Sequence, residues 1–117
     1  MKTALTHEQL LIEFNSPEFI LKTQLQIAKD FGQFSIDFSS KFNQTALMMS
    51  EILLEVEANV IELMKEGEQR FLQYLYLVDI PENSFLSITT DSKFLPKMSE
   101  LILKREAYKV YLRSQFS

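Results

Sequence analysis

"MSEILLEVEANVIELM", residues 49–64, decides what kind of fold this chain adopts. Met49, Leu53, Val56, Val60 and Leu63 recur at steps of 4, 3, 4 and 3, the seam of a helix that packs one side against its neighbours. Met48, Ile52, Ile61 and Met64 widen the same face. Only two glycines and three prolines occur in 117 residues, too few turn-formers for an all-β chain. With 46% hydrophobic and 24% charged residues, the composition is that of a globular chain able to bury a core. The expectation is an all-α fold, a compact bundle of four or five helices forming a single helical domain over residues 1–117.

Outward from the seam, Ser39 or Ser40 can cap this main helix, which then runs from residue 41 to 64. An unbroken helix on to Val78 would be about 57 Å long at 1.5 Å per residue. A domain of this size is roughly 35 Å across. Gly67 is therefore read as a kink or turn, with "EQRFLQYLYLV" as a second helix over residues 68–78. In "DIPEN", Pro81 forces Ile80 out of helical conformation, and a short turn of helix is expected over residues 81–86. The last helix spans residues 95–114, with Pro96 in its first turn.

Toward the N-terminus, Ser16 can cap, Pro17 suits the first helical position and Glu18 favours the positive end of the helix dipole. Ile20, Ile27 and Phe31, with Leu21, Leu25 and Ala28, form the apolar side of that helix, and Gly32 ends it. Thr6 and Gln9 fit a capping box for a short helix over residues 7–14. "QFSIDFSS" alternates apolar and polar residues as a strand does. Its one candidate partner is "SFLSITT" near residue 87, so an apolar loop laid on the core is the preferred reading.

"YLYLVDIPE" followed by "LILKREAYKVYLR" resembles an uncharacterised family of small helical proteins from Bacteroidetes-type bacteria. The resemblance covers the C-terminal half and implies an intracellular bacterial protein. It carries no activity and no functional residues.

Several chemistries are excluded. No cysteine occurs, which removes disulfides, thiolate metal sites and Cys nucleophiles. Gly32 and Gly67 stand alone, so neither a P-loop nor a dinucleotide loop is present. No G-x-S-x-G elbow occurs, and the one histidine, His7, leaves nothing for a His-based triad or metal site. The longest uncharged runs, such as residues 71–78, fall well short of the roughly 20 residues of a membrane span. No apolar leader segment opens the sequence. The expected location is cytoplasmic, with no membrane association, no cofactor and no identified small-molecule ligand.

Two charged features remain. Glu51, Glu55, Glu62 and Glu66 fall close to one helical face. Di-iron bundles use glutamates in this way but add a Glu-x-x-His motif, which is missing here. The plainer reading is a solvated acidic face. The second feature is "LILKREAYKVYLRSQF", residues 101–116, where Arg105, Lys109 and Arg113 make a basic stripe flanked by Tyr108 and Tyr111. Basic stripes with aromatics can bind nucleic acid. The net charge of −4 and the interruptions at Glu100 and Glu106 weigh against it. Residues 51–82 carry eight acidic and two basic side chains, so the stripe is expected to meet that acidic segment. Arg105 with Asp79 is the candidate structural ion pair, worth about 3–5 kcal/mol on losing a partner if the pair is partly buried.

On the last helix, Leu101, Tyr108 and Leu112 read as the packed face. Leu103, Ala107 and Val110 lie on a different side and are the candidate interaction surface for a protein partner or a second copy in a homodimer. The functional expectation is a non-catalytic interaction or adaptor protein. The alternatives are a small ligand-binding or enzymatic bundle using the Glu-rich face, and a nucleic-acid binder using the last helix.

Overall fold

The computed structural model describes residues 15–116, for Phe116 the backbone alone. The helix expected over residues 7–14 and His7 lie outside the described residues.

The first described helix, α1 (Pro17–Gly32), begins as its sequence dictates. The Ser16 hydroxyl accepts the Phe19 amide at 3.2 Å, Pro17 occupies the first turn, and Glu18 sits at the positive end of the dipole. Its buried side departs from the expected one. Phe19, Ile27 and Phe31 are buried, but so are Thr23, Gln24, Gln26 and Asp30, while Leu25 faces outward. A polar arc of α1 therefore faces the interior: Thr23 donates back to the Phe19 carbonyl of its own helix, and Gln24, Gln26 and Asp30 find partners on other elements.

The main helix is shorter than its expected range of residues 41–64. Ser39 caps only a five-residue helix, α2 (Ser40–Gln44), accepting the Phe42 amide at 3.1 Å. The chain then turns extended at Thr45 and re-enters helix as α3 (Met49–Lys65). The buried Gln24 amide fixes this break. Its nitrogen donates to the carbonyls of Phe42 and Thr45, both at 2.8 Å, and its oxygen accepts the Leu47 amide at 2.8 Å. Backbone groups that leave helical bonding must find other partners, and one side chain serves three of them.

Gly67 ends the run at the expected place. Its φ of 118° and ψ of 153° lie in a region open only to glycine, and α4 (Glu68–Leu77) starts in a new direction. A short helix, α5 (Glu82–Leu86), follows Pro81, and α6 (Phe94–Phe116) closes the chain. Among the described residues there are six helices and no strand. Residues 34–38 do alternate, with Phe34, Ile36 and Phe38 buried and Ser35 and Asp37 exposed, but in a turn that closes α1, with Ser35 at a φ of 64°, followed by a short stretch laid on the core.

One large apolar cluster joins all six helices and the 34–38 loop. Aromatic rings form its centre. Phe31 lies 4.4 Å from Tyr74 and 5.3 Å from Phe38, and Phe38 lies 4.3 Å from Phe42, centroid to centroid. The longest helix, α6, packs against both α1 and α3. That double contact corrects the reading of its faces. Leu103 belongs to the main cluster, and Ala107 and Val110 form a second cluster with Phe19 of α1. All three are buried, so they are not an interaction surface. Leu101, Tyr108 and Leu112, read as the packed face, are only half-buried. A helix covered on two sides needs two apolar arcs, which is why the sequence carried more than one. No described helix is long and apolar enough to cross a membrane.

Candidate functional site

The basic stripe of α6 is consumed within the chain, mostly by α1 rather than by the acidic segment. Arg105 alone reaches that segment. Its Nε donates to the Val78 carbonyl at 2.9 Å and its Nη2 to Asp79 Oδ2 at 3.0 Å. The fork is divided between a helix end and a carboxylate instead of gripping the carboxylate bidentately. The guanidinium also sits 5.1 Å from the Tyr108 ring centre. Asp79 is 81% exposed, so the pair lies at the rim.

Lys109 Nζ donates to Asp30 Oδ2 at 2.9 Å, and Arg113 donates to Gln26 Oε1. Gln26 in turn donates to Asp30 Oδ1 at 3.0 Å. At the inner end of this chain of contacts stands Glu106, fully buried. The Tyr74 hydroxyl donates to Glu106 Oε2 at 3.3 Å. Oε1 has no ordinary hydrogen-bond donor, with Lys109 Nζ at 3.7 Å. Burial, then the hydrogen bond and negative charge of Asp30, push the Glu106 carboxyl up from 4.5 to about 9. Lys109 and Tyr74 offset this only in part. At neutral pH Glu106 therefore carries a proton, and the Asp30 carboxylate is the acceptor beside it. Burial first, then the charges of Glu106 and Asp30, raise the Tyr74 phenol well above its usual value.

The result is a buried polar seam that ties α1, α4 and α6 together. Sequence reading missed it by treating Glu106 as a gap in a surface stripe. A signal was available: Ile102, Glu106 and Val110 are spaced by four, so Glu106 lies on the same arc as two buried apolar residues. Asp30, between Ile27 and Phe31, does not stand out in the same way.

The four glutamates of the acidic face do not converge. Glu51 accepts the Met48 amide at 3.1 Å and lies 3.6 Å from Lys41. Glu55 accepts the Ser39 amide at 2.6 Å, Glu62 pairs with Lys65 at 3.2 Å, and Glu66 pairs with Arg70 at 2.6 Å. These are caps and exposed pairs. Among the described residues no group of three or more metal-ligating side chains comes together.

The outer side of α3 is different. Leu54 is 68% exposed, and Ala58, Ile61 and Met64 are exposed along the same helix. Met48, Ile61 and Met64, expected on the core face, are exposed, whereas the core takes Ile52, Val56, Val60 and Leu63. Leu54, Glu57, Ala58 and Ile61 stand at i, i+3, i+4 and i+7, the four corners of one patch on a helix surface. No family model matches this chain, and neither a curated protein nor a solved structure does.

Proposed function

We propose that the chain is a non-catalytic interaction protein that docks a partner protein on the outer side of α3. The observation that carries this reading is the exposure of Leu54, with Ala58 and Ile61 in line with it on a helix whose opposite side is fully buried. Scattered single apolar residues are ordinary on protein surfaces. Three in register over two helical turns are a helix-docking pattern. The alternative use of the Glu-rich face for a ligand or a reaction loses support, because those carboxylates are engaged in caps and ion pairs. Use of the α6 stripe for nucleic acid loses support likewise, since Arg105, Lys109 and Arg113 are held by Asp79, Asp30 and Gln26. A bacterial cytoplasmic setting is part of the proposal, supported by the cysteine-free composition and the resemblance of the C-terminal half.

The test places a photo-crosslinking residue at Leu54, at Ile61 and, as a control, at exposed Gln73 on α4. One discrete adduct at positions 54 and 61, absent at 73 and lost when the other stripe residue is changed to Ser, is the expected result. Adducts indifferent to position, or none at 54 and 61, would reject the proposal.

A further inference from the structure

We infer that the groove between α1 and α6 binds a small amphiphilic oxyanion, an apolar chain whose carboxylate or phosphate head lies between Arg113 and Lys29. The groove has a volume of about 560 Å³, within the roughly 300–1,000 Å³ of small-molecule sites. None of its described lining residues belongs to α3, so the site stands or falls apart from the docking stripe. Lys22, Gln26 and Lys29 stand at i, i+4 and i+7 on α1, one line along the wall of the groove. Arg113 reaches across from α6 and donates to Gln26 Oε1, which anchors its guanidinium one helical turn from the base of Lys29. Gln26 is buried, and its amide nitrogen is taken by Asp30 Oδ1 at 3.0 Å, so its oxygen is held toward Arg113.

The anchor of Arg113 is thus neutral. A guanidinium has five N–H donors, and one bond to an amide oxygen leaves its charge and most of its fork unspent. Asp30, beyond Gln26, is matched by Lys109 at 2.9 Å, and Glu18, at the rim, by Lys22 at 3.6 Å. Lys29 is exposed and pairs with no carboxylate among the described residues. Arg113 and Lys29 therefore bring two positive charges to the groove that no described carboxylate cancels. The rest of the lining sets the body of the ligand. Phe19 and Val110, both buried, form the floor, and Leu25 an exposed wall. A bare inorganic anion would leave that apolar surface wet, and a neutral hydrocarbon would leave both cations unmatched. An apolar chain ending in an oxyanion meets both, its oxygens taking the open fork of Arg113. A nucleic acid needs a longer run of cations than two, and the net charge of −4 opposes it.

Isothermal calorimetry with decanoate, decyl phosphate, decyltrimethylammonium and acetate, all below micelle-forming concentrations, tests this, and backbone amide chemical shifts locate the site. Decanoate or decyl phosphate is expected to bind about 10-fold or more tightly than the decyl cation or acetate. Shifts should cluster on α1 and α6 around Gln26 and Val110 and leave α3 unmoved. Lys29→Gln should weaken the decyl anion about 3-fold, and Lys29→Gln/Arg113→Gln about 10-fold or more, whereas Lys65→Gln on α3 should change nothing. Leu25→Ser should weaken the decyl anion and leave acetate as it was. Circular dichroism checks each fold, and because Lys29 is exposed, Lys29→Gln alone decides the matter if Arg113→Gln disturbs the helices. Equal binding of decyl anion and decyl cation, anion binding indifferent to Lys29→Gln, shifts centred elsewhere, or no binding by any probe would overturn the inference. Capture by phosphatidylglycerol vesicles with no binding of either free decyl anion would overturn it too, marking the groove as a membrane-surface contact.

Discussion

Glu106 carries the least expected chemistry in the chain. A carboxyl sealed among helices must give up its charge or find a cation close enough to keep it. Lys109 is near, but it is committed to Asp30 at 2.9 Å and stands 3.7 Å from Glu106. The proton therefore stays on Glu106. Folding therefore takes up a proton, since the carboxyl moves from 4.5 to about 9. Because the folded value is the higher one, the stability this group contributes is complete below about 4.5 and is lost as pH rises toward about 9. Glu106→Gln keeps the shape and removes the titration. Its advantage over the parent chain should be near zero at pH 4.5 and of order 1–3 kcal/mol at pH 7, from about 1.4 kcal/mol per pH unit at most. Urea melts at pH 5, 7 and 9 measure it, and a gap constant across pH would refute the proton assigned to Glu106. Arg105 is the contrasting residue. It was legible from the sequence as the partner of Asp79, but the exposure of Asp79 was not. Arg105→Ala should cost about 1–2 kcal/mol, mostly from stranding the Val78 carbonyl, instead of the larger penalty of a buried pair. A thermal-melt loss above that range would mean that the rim pair is worth more than its exposure implies.

Helix boundaries followed from sequence wherever a single residue type dictated the backbone, and failed where a distant side chain did. Ser16, Gly67 and Pro81 act on their own neighbours, so their effects could be read locally. The break between α2 and α3 could not, because Gln24 imposes it from 18 to 23 residues away. The end of α4 is a mixed case. Asp79 takes the left-handed conformation usually left to glycine, with φ of 68°. The Ile80 amide reaches back to the Leu75 carbonyl at 2.9 Å and the Asp79 amide to that of Tyr76 at 3.2 Å. Arg105 then takes the Val78 carbonyl. A cation at a helix C-terminus meets its negative end, so one side chain from α6 both caps α4 and fixes the distance between them. Gly67, at the other end of α4, has open space around its Cα, so a side chain there meets no neighbour within 4 Å. The cost of Gly67→Ala is thus backbone strain alone, about 1–3 kcal/mol. If equilibrium unfolding instead shows no loss, α3 and α4 can reorient freely about residue 67.

The charge layout binds these helices into a single acidic object with one apolar stripe exposed on α3. The sequence separated an acidic middle from a basic end correctly, and supposed that the two face one another. The basic end instead turns mainly to α1, through Asp30 and Gln26. Nothing local marks α1 as the neighbour of α6, since that choice depends on how six helices pack. The consequence is that α3 keeps its negative field. The face expected to dimerise, Leu103, Ala107 and Val110, lies inside the fold and is closed to a second copy. The stripe on α3 remains, but a two-fold contact through it would bring the Glu57 carboxylates of both copies into one small interface. Each like-charge contact across an interface opposes association, and does so most at low ionic strength. The chain should therefore sediment as a monomer, with a radius of gyration close to the 13.7 Å of the fold. Raising salt removes the repulsion and leaves only the small apolar area of Leu54, Ala58 and Ile61, far below the roughly 800 Å² per partner of a standard interface. Sedimentation equilibrium at low and high salt should give a monomer in both. A dimer at low salt would show that the acidic borders do not repel. A dimer that grows with salt and vanishes in Leu54→Ser/Ile61→Ser would show that the stripe's own occupant is a second copy.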